Sequence, residues 1–349
     1  RIDWVHRSMR FGEKLATPDT SISDLIGEVD PIKVAEGRYL SDELTVHYGL
    51  VPRTNRGIFA INELPDLAER IQVGLLNVLE ERDVQIRGYK IRLPLDVVLV
   101  ASANPEDYTN RGRIITPLKD RFGSQIRTHY PLDADLEYDI MRQEADAIEV
   151  GDGVSVAVPP YLGRVVATFS QLARASSHVN QRSGVSVRLS VANYEALAAN
   201  AMRRGLRSGD DHIVARVDDL DALAASSIGK IEIEALEEGR EGVVFDHLVK
   251  GALLTVFQEL VDPSHTTPIV DAFDGEVVAH TGPDVPSADV AALVERIPAL
   301  REPVGALTAG DPSDASIAAA VGFLLEGLHL SKRLNKDASG LAATYRGRF

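Results

Sequence analysis

The chain has 349 residues, enough for two to three domains at about 150 residues each and for a sizeable core. Lys plus Arg number 37 against 52 Asp plus Glu, a formal charge of −15 at pH 7, which argues against general nucleic-acid binding because that needs positive charge facing the phosphates. Hydrophobic residues at 44% and charged residues at 26% exclude a disordered chain, and the absence of cysteine excludes disulfide scaffolds, thiolate metal sites and cysteine nucleophiles and fits a cytoplasmic location.

No stretch approaches the roughly 18 apolar residues of a membrane span, and the opening RIDWVHRSMR lacks the charged-then-apolar pattern of a secretory signal. Because the chain opens on Arg1 and not on Met, the native protein is expected to start further upstream. Residues 1–56 are mixed and polar, broken around Thr17-Pro18-Asp19 and Val51-Pro52-Arg53, and read as short helices and loops. Gly57-Ile58-Phe59-Ala60-Ile61 is a continuous apolar run ended by Asn62-Glu63, the pattern of a buried strand. Leu67, Ile71, Leu75, Val78 and Leu79 then recur at helical spacing within Pro65 to Arg82, with Pro65 and Asp66 in the first turn. Between Asp83 and Leu95 two alternating runs flank Gly88-Tyr89, a hairpin signal whose Arg87, Lys90 and Arg92 read as a solvated face.

Val97-Val98-Leu99-Val100-Ala101 is a second buried strand, ended by Ser102-Ala103-Asn104-Pro105, and a third strand is expected over Gln125 to Thr128. Strands alternating with helices predict a parallel, doubly wound sheet. After Pro131 helical periodicity dominates, over Asp133 to Glu149, Pro159 to Ser176, Arg188 to Arg204 and Phe245 to Val261. Thr266 to Pro286, rich in Pro, Gly and Asp, reads as a linker, followed by helices near Ser287 to Arg296 and Ser313 to Lys336.

The two strand ends place Asn62, Glu63 and Asn104 at the carboxyl edge of a parallel sheet, where open α/β folds put their ligands. Downstream, Arg121 in Pro117-Leu118-Lys119-Asp120-Arg121-Phe122 and Arg188 in Ser186-Val187-Arg188 add cations. One carboxylate, one amide and two guanidinium groups near phosphates position a water and neutralise transition-state charge. Taken singly each has a plainer reading: a strand end for Glu63, an Asx-type turn for Asn104-Pro105, a local ion pair for Arg121, and Arg182 as an equal candidate to Arg188.

Order and spacing together resemble the second half of an AAA+ ATPase core of the magnesium-chelatase and MoxR-like group. GIFAINELPDL is similar to a Walker B strand, VVLVASANPEDYTNRG to a sensor 1 strand, and TPLKDRFG to an arginine-finger segment. The hairpin resembles this group's insertion before sensor 1, Asp24 to Asp42 its helix-2 insert, and SGVSVRLSV its sensor 2 helix. The resemblance, which covers roughly residues 20 to 205, implies an α/β fold, a partial P-loop AAA+ core with a parallel sheet over 1–131 followed by a mainly α-helical lid with sensor 2 over 132–225; helical periodicity adds a helical C-terminal region of unknown role over 226–349. It implies ATP and Mg2+ as cofactors, with Glu63 as the general base, Asn104 holding the attacking water, Arg121 acting in trans as arginine finger, and Arg188 contacting phosphate from the lid.

A homo- or hetero-oligomeric ring is implied, hexameric as is usual in the family, which remodels or metallates a partner protein; such partners often carry a metal-ion-dependent adhesion site. Asp19-Thr20-Ser21-Ile22-Ser23 fits the D-x-S-x-S of such a site, but no buried apolar strand precedes it in the sequence, so it reads as something else. Two departures stand out. Where the family shows Asp-Glu, this chain has Asn62-Glu63, so Asn62 would meet magnesium only indirectly, through a bound water. No G-x-x-x-x-G-K-[ST] occurs, Gly229-Lys230 being flanked by Ala224 and Ile231 at the key positions, and truncation is the expected explanation. The rival reading is a non-hydrolysing ring or scaffold subunit that supplies Arg121 in trans. An enhancer-binding activator needs a G-A-F-T-G-A loop, which the sequence lacks, and a helicase is disfavoured by the charge.

Overall fold

The protein is described by a computed structural model covering every residue except 1, 37–44, 86–91, 105–111, 147–153, 181–183, 211, 233–240, 276, 340–341 and 349. It divides into two units, Arg1–Thr128 and His129–Phe349, each with its own core.

In the first unit Phe11–Leu15 (β1), Ile58–Asn62 (β2) and Val98–Ala101 (β3) form a parallel sheet in that spatial order. Side chains alternate across the sheet, so Phe59 and Ile61 point to one face, where they are 0% exposed and pack with Leu25, Val51, Leu75 and Leu118. The helix Glu69–Glu80 (α1) contributes Ile71, Leu75 and Val78 from a single stripe, as its 3.6-residue period requires. The opposite face is different. Phe11, Ile58 and Val98 stand side by side in register, and with Leu15 and Val100 they are 45% to 60% exposed. A parallel sheet ordinarily buries both faces, so this one carries an open apolar side.

β1 occupies a region that the sequence predicts to be short helices and loops. Glu13 and Lys14 interrupt its apolar run, and an edge strand with one covered face needs no continuous hydrophobic stretch. Residues 125–128, predicted as a third strand, form none: all four are exposed, Ile126 to 89%, and no described strand lies alongside to take their backbone hydrogen bonds. The predicted hairpin is present at both ends, Asp83–Gln85 pairing antiparallel with Arg92–Pro94; Arg87 and Lys90 between them lie outside the described residues. Thr116–Lys119 (α2) buries Leu118 and delivers the chain to Arg121.

The second unit is mostly helical, as predicted. Ala134–Glu144 (α3), Pro160–Ala175 (α4), Val187–Ser208 (α5) and Glu241–Leu260 (α6) share one core, with α4 at its centre burying Leu162, Val165, Val166 and Phe169 completely. Phe169 meets Phe245 of α6 edge-on, ring centroids 5.4 Å apart. α3 stops at Glu144, short of the predicted 149, and residues 147–149 lie outside the described ones.

The predicted linker over 266–286 holds instead the helix Pro263–Ala272 (α7) and the strand Ala279–Thr281 (β4). Asp262 caps α7 by accepting the Ser264 N–H, Pro263 occupies the first turn where its missing donor costs nothing, and burial of Ile269 and Phe273 at 0% and 1% overrides Pro268. The last long helix, Asp314–Leu330 (α8), ends before the predicted Lys336, because Asn335–Ser339 (β5) pairs with Ala342–Arg346 (β6), itself paired with β4. Among the described residues no helix is long and apolar enough to cross a membrane.

Candidate functional site

β2 ends on Asn62, and the chain then turns at Glu63, whose φ of 57° and ψ of 48° are left-handed, a conformation uncommon for a residue with a Cβ. The turn is held from β3. Glu63 N–H donates to Ser102 Oγ at 3.2 Å, Leu64 N–H to the Ser102 carbonyl at 2.9 Å, and Ser102 N–H to the Ile61 carbonyl at 2.9 Å. A short 3-10 turn, Leu64–Asp66 with Pro65 buried, then carries the chain toward α1. Glu63 is thus fixed, half-buried, at the carboxyl edge of the sheet, and Asn104 follows, exposed, two residues past Ser102.

Asn62 reaches sideways. Its Nδ2 donates to Glu13 Oε1 of β1 at 2.8 Å, and its Oδ1 accepts a long bond, 3.5 Å, from Ser102 Oγ. A chain of hydrogen bonds therefore crosses all three strand ends, from Glu63 N–H through Ser102 and Asn62 to Glu13. Its oxygen donors, two carboxylates, an amide and a hydroxyl, are the hard ligands that suit magnesium. Two carboxylates and an amide suit a cation that keeps much of its water and is shared with phosphate.

Arg121 is engaged within its own unit. Its Nε and Nη2 donate to Glu80 Oε2 at 2.8 and 2.5 Å, and its Nη1 donates to the Pro117 carbonyl at 2.7 Å. Glu80 is the last residue of α1, where the helix dipole disfavours an acid, and the guanidinium compensates it. The segment leading to Arg121 is anchored by Gln72, 0% exposed, which donates to the Leu67 and Arg113 carbonyls and accepts the Ile115 N–H, each at 2.9 Å.

Arg188 belongs to the second unit, exposed in the first turn of α5, whose Ser186 cap accepts the Arg188 N–H at 3.2 Å. The dipole disfavours a cation there, so an anionic neighbour suits this position. The α5 start is tied to its unit by Arg174, which donates to the Val185 carbonyl at 2.9 Å and bidentately to Glu137, both bonds 2.7 Å. Glu137, 0% exposed, also accepts Ser190 Oγ of α5 at 2.5 Å. Arg182 lies outside the described residues. In the D-x-S-x-S stretch, Ser21 and Asp24 form a capping box, the Asp24 N–H donating to Ser21 Oγ at 3.1 Å, which occupies the serine in starting a helix.

Glu13, Ser102, Gln72 and Glu80 were not singled out by the sequence. Ser102 stands in the same place after its strand as Asn62-Glu63 after theirs, a signal that could have found it; the other three depend on partners 41 to 49 residues away.

A profile described as the Sigma-54 interaction domain matches residues 35–121, about a quarter of the chain. The magnesium-chelatase 38 kDa subunit of Cereibacter sphaeroides is 36% identical over 151 residues, 40% of this chain and 42% of that subunit. The corresponding subunit of Acidiphilium rubrum is 34% identical over 103 residues, 29% and 28% of the two chains.

Over these matched stretches the chain is similar to AAA+ ATPases of the magnesium-chelatase group. The chain spans less than half the length of the curated relatives it matches. Among solved structures it is similar to the BchI–BchD complex of magnesium chelatase, with 19% identity over 67% of this chain and 73% of that one at a TM-score of 0.31. It is also similar to NtrX from Brucella abortus, with 17% identity over 72% and 53% at a TM-score of 0.41.

Proposed function

We propose that this protein is an ATP-hydrolysing AAA+ motor subunit that works in the cytoplasm as part of a ring, hexameric by resemblance, and remodels or metallates a partner protein. The observation that carries the reading is Glu63, set at the carboxyl edge of the parallel sheet in a left-handed turn that Ser102 holds from the next strand. In this reading Glu63 orients and deprotonates the attacking water, and Asn104 holds that water from the neighbouring strand end. Magnesium, when bound, would neutralise charge on the phosphates, and Asn62 would help hold it indirectly, through a bound water. Arg121 leaves Glu80 to reach a neighbour's nucleotide, and Arg188 meets phosphate from a lid spanning 132–225, between a core over 1–131 and a helical region over 226–349. A partner with a metal-ion-dependent adhesion site is the proposed client, by analogy with the group.

Glu63→Gln tests the assignment in protein expressed from the complete coding sequence. Steady-state phosphate release is expected to fall by about 10²-fold or more, the usual weight of a positioned general base. Hydrolysis that survives the change would remove Glu63 from the reaction. A second reading, a non-hydrolysing ring subunit that lends Arg121 in trans, is favoured by the neutral Asn62 where the group carries a carboxylate. Under that reading Glu63→Gln leaves the activity of a mixed ring unchanged and Arg121→Ala abolishes it.

A further inference from the structure

In the strand register Leu15 faces Asn62 and Glu13 faces Ala60, so Glu13 and Asn62 are diagonal neighbours on the open face of the sheet. Long side chains on diagonal positions can touch, and these two do, with Asn62 Nδ2 2.8 Å from Glu13 Oε1. An ionised carboxylate only accepts hydrogen bonds, so the amide nitrogen must face Glu13 and the amide oxygen must turn away from it, toward Ser102. Glu13 therefore decides which end of Asn62 is presented at the strand edge. It also brings a formal negative charge into contact with a side chain that has none.

Taking Asn62 and Glu63 as the phosphate-facing edge proposed above, we propose that Glu13 is a positioning residue for magnesium, supplying from β1 the carboxylate charge that Asn62 lacks. A carboxylate on β2 and an amide on β1 would make the same pair with the roles exchanged; here the charge has moved one strand over. Magnesium keeps most of its waters and needs only one or two nearby carboxylates, so charge delivered through an amide is still felt. Partners that orient a metal-facing group are worth about 10- to 100-fold in metal affinity.

The test is a titration of the protein with Mn2+ complexed to a non-hydrolysable ATP analogue, read by the change in the Mn2+ electron paramagnetic resonance signal on binding, with the Mg2+ complex as competitor. Glu13→Gln is expected to weaken Mn2+ binding by about tenfold. The double variant E13Q/N62D reverses donor and acceptor while keeping both the hydrogen bond and the charge, and is expected to return to within about threefold of the parent, a rescue that a purely structural role of Glu13 would not give. Unchanged binding in E13Q, or a double variant as weak as E13Q, overturns the assignment of Glu13 while leaving the hydrolysis test at Glu63 standing. A parent protein that binds no Mn2+ overturns both this inference and the magnesium part of the proposed function. Both side chains lie toward the surface, and matching far-UV circular dichroism melts establish that the variants fold.

Discussion

Among the described residues the two units differ in whether any ion pair is buried. The second, beside exposed pairs such as Lys250–Asp246 and Arg301–Glu295, also encloses some: Arg204 and Asp219, 3% and 0% exposed, pair at 3.0 Å inside the helical core, and Glu137 is fully buried beneath Arg174. The first displays them: Arg121–Glu80 and Arg113–Glu69 lie toward solvent, and the strand-end relay from Glu63 to Glu13 borders an open apolar sheet face. Buried pairs with satisfied hydrogen bonds hold elements in one arrangement, whereas half-exposed ones can exchange partners at small cost. The difference separates a unit in which certain ion pairs serve packing from one whose described ion pairs all lie toward solvent.

That contrast can be broken most directly at Arg204. Arg204→Met strands the Asp219 carboxylate in the interior, and urea unfolding of the second unit is expected to show a loss of about 3–5 kcal/mol; a loss under about 1 kcal/mol would mean the enclosed charges do not hold the unit together. At Glu63 the expected sign is opposite. Glu63→Gly relieves the left-handed backbone and should raise stability by up to about 1 kcal/mol while ending hydrolysis, a combination seen when thermal melts and phosphate release are measured on the same sample.

A smaller effect belongs to Asp218, whose carboxyl is pushed above its usual range mainly by desolvation, with Arg216 opposing and Asp219 adding to the rise. A carboxyl raised in the folded state costs stability when ionised, so Asp218→Asn should raise the melting temperature at pH 7. The gain should fade as the pH falls through the raised value toward the unfolded carboxylate value of about 4. A gain that persists at pH 3 would point to packing instead. The smallest effect is expected at Glu80: Glu80→Ala, at a half-exposed pair, should move stability by no more than about 0.5–1 kcal/mol, checked by the same urea titration.

What could be read from the sequence follows the physics of burial. β2, β3 and α1 were legible from uninterrupted or periodic apolar runs, but β3, expected to be buried, has no buried residue, because Val98 and Val100 stand on the open face of the sheet at 60% and 51% exposure. β1 was not legible, since Glu13 and Lys14 lie on an edge strand, and one strand of the sheet was expected at residues 125–128, where the chain instead runs exposed. Pro263 and Pro268 disguised α7 as a linker, although Asp262 followed by proline is itself a helix-start signal. Within the site, Asn62 and Glu63 could be marked from the strand end alone. Their placement against Ser102 and Glu13 required the strand register, which no local pattern encodes.

The Glu137–Arg174 pair carries a consequence for descent. Losing either charge alone leaves the other stranded among Leu, Val and Phe side chains, whereas replacing both together by apolar groups of like volume is close to neutral. Drift one substitution at a time is therefore blocked at both positions by the same intermediate. Across related chains these two residues should persist together or vanish together, and a lineage holding one without the other should carry a compensating change at Ser190 or in the Val185 segment that Arg174 also grips.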